Sequence, residues 1–260
     1  MGTDIGIKMQ APRFVYLIPC HNEASILATQ VKRLAEFVVR FPGSRAFLLD
    51  NGSVDATWEV AQHLSAQHPG WLVSCRDEAK GMGVAYRRGL SETARHAFRP
   101  PLTNLDWVVL TAADLPFGFS DVESLLSVDA QERATTPMFV GSKAHPASRI
   151  ARDVKRRVGT LIFSLMRFLV LGLRTKDTQG TLILRGDLVS RFQCLRADDY
   201  FVSIEVVDLA EQLGKVRELP IVLEAELRPS RVKVFRDGWR MLRQMIRYRK
   251  NRPSVARPLP

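Results

Sequence analysis

Apolar runs of strand length alternate with helical patterns through the first half of this chain. Phe14–Pro19 reads as a buried strand, an apolar run closed by proline. Ala24–Phe41 follows with Ile26, Val31, Leu34, Phe37 and Val38 near helical spacing, so it reads as a helix burying one side. The alternation repeats as strand Ala46–Leu49, helix Thr57–Gln67, strand Trp71–Ser74, helix Val84–Ala97 and strand Trp107–Thr111. Strands separated by helices of this length predict βαβ units and a parallel sheet. The second half is less regular. Phe139–Gly141, Leu182–Leu184 and Val216–Pro220 read as short strands, Ala151–Leu173 as a long helix or helix pair, and Ser203–Leu213 as a helix. No repeat or Gly/Ser linker interrupts the pattern. The expected fold class is α/β, a single domain with a mainly parallel central sheet flanked by helices.

The last helical pattern, Phe235–Lys250, is strongly two-sided. Arg236, Arg240, Arg243, Arg247 and Lys250 fall within an arc of about 80° on a helical wheel. Phe235, Trp239, Leu242, Met245 and Ile246 lie opposite. This basic amphipathic helix suits an anionic membrane surface; it equally suits a helix packed on the body with solvated arginines. Val158–Leu173 is the most hydrophobic stretch, interrupted by Arg167 and too short to span a bilayer. The divisions expected are 12–232 for the domain, 233–250 for the amphipathic helix and 251–260 for a disordered, proline-containing tail.

Composition sharpens the question of partners. The chain of 260 residues is 46% hydrophobic, enough to bury a sizeable core, and carries a net charge of +11. The excess sits in residues 143–176 and 228–257. An anionic partner is therefore expected at the second half. Nucleic acid fits the charge alone, but the basic segments lack interleaved aromatics and any recognised binding module. Cys20, Cys75 and Cys194 show no metal spacing and read as reduced thiols of a cytoplasmic protein; Met1–Pro12 has no secretory pattern.

Three strand-like runs end in acidic, amide or glycine residues: Pro19-Cys20-His21-Asn22-Glu23, Asp50-Asn51-Gly52-Ser53 and Ala112-Ala113-Asp114. Parallel strands gather such endings at one sheet edge, where open α/β folds bind ligands. Asn-Gly after an apolar run also suits a hairpin, but a helical pattern follows here. Lys80-Gly81-Met82-Gly83 precedes a helix, a weak phosphate-loop signal taken alone. Arg87 and Arg88 stand one turn further on, as phosphate contacts or as ordinary solvated charges. His21 and Glu23 lack a third metal ligand at standard spacing. In the second half stand Gly141-Ser142-Lys143, Arg156 and Thr160, and Asp177-Thr178-Gln179-Gly180. Glu205, Glu218-Leu219-Pro220 and Ser230-Arg231-Val232 complete the series.

This ordered set resembles the family 2 glycosyltransferases of GT-A fold, and most of all the dolichyl- and polyprenyl-phosphate mannose and glucose synthases. The resemblance runs from about Phe14 to Arg249. It implies an inverting glycosyltransferase that moves mannose or glucose from GDP-mannose or UDP-glucose to a polyprenyl monophosphate, peripheral on the cytoplasmic face of a membrane. It implies a donor site at Pro19, Glu23, Asp50, Asn51, Lys80, Gly81 and Asp114, and catalytic roles for Asp114, Asp177 and Gln179. The acceptor phosphate falls to Lys143, Arg156, Thr160 and Arg231, and Mg²⁺ or Mn²⁺ to Asp114. Where that family usually has Asp-Ala-Asp, this chain has Ala112-Ala113-Asp114, and Pro116 replaces a glutamine. The resemblance therefore implies a weak metal site that depends on bound nucleotide. The same departures leave open a non-catalytic nucleotide-sugar or lipid binder, or a transferase with a non-lipid acceptor.

Overall fold

The structure is a computed structural model that describes residues 11–95, 98, 100–149, 154–224 and 234–254, without the side chains of 154–158, 160 and 234–238. The first half runs β1 (Phe14–Cys20), α1 (Ala24–Arg40), β2 (Arg45–Asn51), α2 (Thr57–Gln67), β3 (Leu72–Asp77), α3 (Met82–Arg95) and β4 (Trp107–Leu110). Then come α4 (Ser120–Leu126), α5 (Ala130–Thr135), β5 (Met138–Gly141), α6 (Val154–Leu171) and β6 (Thr181–Arg185). A 3-10 helix (Gly186–Phe192), α7 (Val202–Leu213), β7 (Arg217–Leu219) and α8 (Val234–Lys250) follow.

Among the described residues seven strands form one sheet in the order β3-β2-β1-β4-β6-β5-β7. All neighbours pair parallel except β6, which is antiparallel to both β4 and β5. The mainly parallel sheet expected from the alternation is present. The strand period of two divides the side chains between two cores. Val15, Leu17, Phe47, Leu49, Val108 and Leu110 face the layer of α3, α7 and α8. Phe14, Tyr16, Ile18, Leu48, Trp107 and Val109 face α1, α2 and α4. With both faces covered, the central strands β1 and β4 are near-continuous apolar runs, as buried parallel strands are.

Strands β2 and β3 extend further than their apolar runs. Asp50 pairs in register with Arg76, and Asn51 with Asp77. Ladder bonds made by the backbone carry polar residues into the strand ends, which sequence polarity alone excludes. The hairpin alternative at Asn51-Gly52 is also resolved. Gly52 takes φ +71° and donates to the Asp77 carbonyl at 2.9 Å, turning the chain towards α2.

Helix α8 packs on the body through Met241, Met245 and Tyr248, all buried. Tyr248 Oη donates to Asp208 at 2.8 Å, and Arg252 Nε donates to the same carboxylate at 2.8 Å. Burial first, and the adjacent Asp208 next, push the Tyr248 hydroxyl well above its ordinary pKa. Residue 252 is thus docked, where the sequence reading placed the start of a disordered tail; 255–260 lie outside the described residues. Trp239 and Ile246, expected on the packed face, are exposed beside Arg240, Arg243, Arg247 and Lys250. Neighbouring α6 exposes Leu161, Ile162, Leu165, Phe168 and Leu169. No helix among the described residues is long and apolar enough to cross a membrane.

Candidate active site

The C-terminal ends of β1 and β2 bring the expected nucleoside residues together. Pro19 pairs with Leu49, and Cys20 with Asp50. The loops beyond are stitched to one another. Asn22 N–H donates to Ser53 Oγ at 3.0 Å, and Val54 N–H to Asn22 Oδ1 at 2.9 Å. Glu23 N–H donates to Thr57 Oγ1 at 2.8 Å. His21 Nδ1 lies 3.1 Å from the Asn51 carbonyl, which gives it a structural partner. Asp55 accepts from Thr57 N–H at 3.0 Å, satisfying a donor at the start of α2.

Asp50 is 1% exposed, yet neither carboxylate oxygen receives a hydrogen bond. Arg76 Nε approaches Oδ2 to 3.3 Å without bonding geometry. Asn51 Oδ1 is buried and unpartnered as well. Buried acceptors without donors are uncommon in folded proteins and call for an explanation. Two of them side by side at a ligand-binding sheet edge are what a donor-bearing ring, such as a base, would satisfy.

The glycine loop differs from its expected form. A Cβ at Gly81 would stand 2.1 Å from the Asp198 carbonyl oxygen, and one at Gly83 would stand 1.9 Å from that of Ala197. Gly83 N–H donates to the Asp198 carbonyl at 2.9 Å. The glycines therefore admit the 196–200 loop against the start of α3, and the Gly83 donor expected for a phosphate is already taken. Arg87 bonds the Ala197 carbonyl and the Asp198 carboxylate, and Arg88 pairs with Glu92 at 3.1 Å. Both arginines are structural. Glu205 accepts from the Arg196 and Ala197 N–H groups at 2.9 and 3.0 Å, holding the same loop from behind. Burial raises its pKa, and those two N–H groups offset part of the rise. Lys80 is exposed on the approach to this loop.

A cleft of about 660 Å³ opens at the sheet edge where β4 and β5 finish. Ala112, Asp114, Pro116 and Phe117 line it from the segment after β4, Lys143 from the end of β5, and Gln179 and Gly180 from the start of β6. The antiparallel direction of β6 explains this meeting, because its first residues reach the edge where the parallel strands finish. Three expected site residues, Asp114, Lys143 and Gln179, therefore share one cleft. Lys143 Nζ lies 5.5 Å from the centre of the Phe117 ring.

Asp177, expected among the catalytic residues, has another task. It is 6% exposed, and its oxygens accept from Lys143 N–H at 2.8 Å and Gln179 N–H at 2.9 Å. A carboxylate so placed holds the backbone of the cleft wall. Arg156 and Thr160 belong to α6, with side chains outside the description; Arg231 lies outside the described residues.

The sequence reading missed a stripe of α1. Ser25, Ile26, Thr29, Gln30 and Arg33 face the cleft, and Arg33 makes a bidentate pair with Glu224 at 2.8 and 2.9 Å. Their i, i+4, i+8 spacing was legible, but polar residues on a helix ordinarily mark its solvent side.

Asp114 is half-buried in the cleft wall, and Ala112 offers no second carboxylate. Among the described residues no three His, Cys, Asp or Glu side chains come together to hold a metal ion. A cation bound by protein alone does not fit this donor set. One shared between Asp114 and a donor diphosphate does, since Mg²⁺ takes one or two carboxylates with phosphate and water oxygens.

This fold recurs in solved glycosyltransferases. Glucosyl-3-phosphoglycerate synthase of Mycobacterium tuberculosis, solved with Mn²⁺, UDP and glucosyl-3-phosphoglycerate, superposes with a TM-score of 0.57 at 17% identity, covering 95% of this chain and 83% of that one. Mannosyl-3-phosphoglycerate synthase of Rubrobacter xylanophilus gives 0.59 at 18%, covering 96% and 79%. Sheet order and these likenesses define a GT-A fold. The family model described as "Glycosyl transferase family 2" matches residues 16–174, more than half of the sequence, and the chain belongs to that family. Among curated proteins, undecaprenyl-phosphate mannosyltransferase of Micrococcus luteus is 26% identical over 226 residues, covering 85% of this chain and 87% of its own.

Proposed function

We propose that this glycosyltransferase moves a hexose from GDP-mannose or UDP-glucose to a polyprenyl monophosphate at an anionic membrane surface, on its cytoplasmic face. The observation that carries the reading is the cleft itself. It is lined by Lys143, Gln179 and Asp114, at the sheet edge where β2 also ends in the unpartnered Asp50 and Asn51. The likeness to the undecaprenyl-phosphate mannosyltransferase supports a lipid acceptor. So do the exposed apolar row of α6 and the basic face of α8, a pairing suited to anionic lipid.

In this mechanism Asp50 and Asn51 accept from the base of the donor, with Pro19 and Glu23 forming the adjoining wall. An oxygen of the acceptor phosphate attacks the anomeric carbon as the bond to the diphosphate breaks. The nucleoside diphosphate leaves with the electron pair, and configuration inverts. A phosphate monoester is largely ionised at neutral pH, so no base is required. Lys143 and Arg156 orient it, and alignment lowers the barrier. Asp114 would hold Mg²⁺ or Mn²⁺ against the diphosphate, where the cation would neutralise leaving-group charge.

The test is incubation of the protein with radiolabelled GDP-mannose or UDP-glucose and undecaprenyl phosphate in phosphatidylglycerol vesicles. Label extractable into organic solvent is expected. Transfer only to a water-soluble acceptor such as 3-phosphoglycerate would overturn the lipid reading. Nucleotide-sugar binding without turnover would favour the non-catalytic reading that Ala112 and Pro116 motivate.

A further inference from the structure

Behind the cleft wall stands one buried arginine. Arg167, on the inner face of α6, is 1% exposed. Its Nη2 donates to the Lys176 carbonyl at 2.6 Å, and its guanidinium lies 5.0 Å from the Phe163 ring centre. Burial lowers its pKa, and the negative charges of Asp177, Glu218 and Glu211 offset part of that fall. Glu211 accepts from Thr175 N–H at 2.8 Å, fixing the segment that leads to Asp177.

Glu218, on edge strand β7, joins the two halves of the wall. Its Oε1 accepts from Ser142 Oγ at 2.7 Å and from Asp177 N–H at 3.1 Å. Ser142 is fully buried, and its Oγ accepts in turn from Ala144 N–H at 3.1 Å. Asp177 grips the N–H groups of Lys143 and Gln179. The backbone is thus held on both sides of Lys143 by bonds that lead back to one carboxylate. Glu218 does not line the cleft.

We propose that Glu218 is a positioning residue: through Ser142 and Asp177 it sets where Lys143 and Gln179 stand. This deepens the proposed function and rests on it in assigning Lys143 to the acceptor phosphate. Two hydrogen bonds converging on one acceptor couple the end of β5 to the segment that leads into β6. The same arrangement ties the cleft to α6, whose opposite face is the exposed Leu161, Leu165 and Phe168.

Four variants test this: Glu218→Ala, Glu218→Gln, Ser142→Ala and Lys143→Ala. Each is assayed with undecaprenyl phosphate in vesicles, with calorimetry of UDP and GDP binding and amide exchange over 141–149 and 174–180. Glu218→Ala is expected to lower kcat/KM for the acceptor by about ten-fold or more, with nucleotide Kd changed by less than about two-fold. Exchange should accelerate in both segments. Glu218→Gln should recover most of the loss, because its amide oxygen can accept the same two bonds. Ser142→Ala, a milder change if Glu218→Ala fails to fold, should move acceptor kinetics in the same direction. Unchanged exchange and acceptor kinetics, or equal loss of nucleotide and acceptor affinity, would overturn the proposal. If Lys143→Ala is also without effect on the acceptor, the proposed function has failed. If Lys143→Ala is impaired and Glu218→Ala is not, only the positioning role has failed.

Discussion

Replacing Asp50 by alanine should move stability and donor affinity in opposite directions. In the ligand-free protein both carboxylate oxygens are buried without a hydrogen bond. An unsatisfied buried acceptor costs about 1–3 kcal/mol. Against this stands the approach of Arg76, whose side chain is 45% exposed, so the ion pair contributes at most about 1 kcal/mol. The side chain therefore costs the fold by itself a net amount on the order of 1–2 kcal/mol. Asp50→Ala should raise Tm by roughly 2–6 °C for a chain of this size. The bound state reverses the balance. The base loses a buried acceptor, and affinity should fall by about 1–3 kcal/mol, roughly 5- to 150-fold in Kd. Differential scanning calorimetry of the free protein and titration with UDP and GDP measure the two halves separately. A lowered Tm with unchanged affinity would refute the reasoning, because the carboxylate would then be a satisfied structural group.

Lys143→Ala and Arg156→Ala should each depress turnover with the lipid phosphate while leaving UDP or GDP binding nearly intact; a fall in nucleotide affinity would move either residue to the donor side. Mn²⁺ should bind the free protein only marginally, and more tightly with nucleoside diphosphate present. Ala112→Asp should strengthen both, so calorimetric titration showing tight binding to the unmodified free protein would reveal ligands beyond Asp114. Burial pushes the Asp121 carboxyl up to about 6, against the N–H of Val122, which favours the ionised form. Its folded pKa exceeds its unfolded one, so its contribution to stability is complete at low pH and declines as pH rises from about 4 to about 6. Asp121→Asn should remove that decline and be up to about 3 kcal/mol more stable than the parent at pH 7, with no advantage near pH 3.5. Urea unfolding at both values checks it.

Local patterns carried the first half of the fold because each strand there is an apolar run and each helix has one apolar side. The ends of β1 and β4 were readable for the same reason, whereas β2 runs on through buried Asp50 and Asn51. The direction of β6 was not readable. Leu182, Ile183 and Leu184 are equally apolar in either orientation, and only pairing partners distant in sequence decide it. The role of Asp177 escaped for a related reason. A motif names a carboxylate, but whether its oxygens face a substrate or the N–H groups of Lys143 and Gln179 depends on a loop crossing from another element. Gly81 and Gly83 read as phosphate-binding because glycine lets any neighbour come close. Here the neighbour is the protein's own 196–200 loop.

The place of β6 also shapes how the chain must be made. Strand β4, with all four residues buried, has β1 on one side and β6 on the other. Synthesis delivers β6 about 70 residues after β4. Until then β1, β2, β3 and β4 can assemble, but β4 presents an apolar open edge, the kind that invites pairing with another chain. The emerging polypeptide is most vulnerable in that interval, and the sequence-distant closure is a slow one. Substitutions that weaken β6 should therefore appear first as aggregation during expression, before any loss of activity in the molecules that fold.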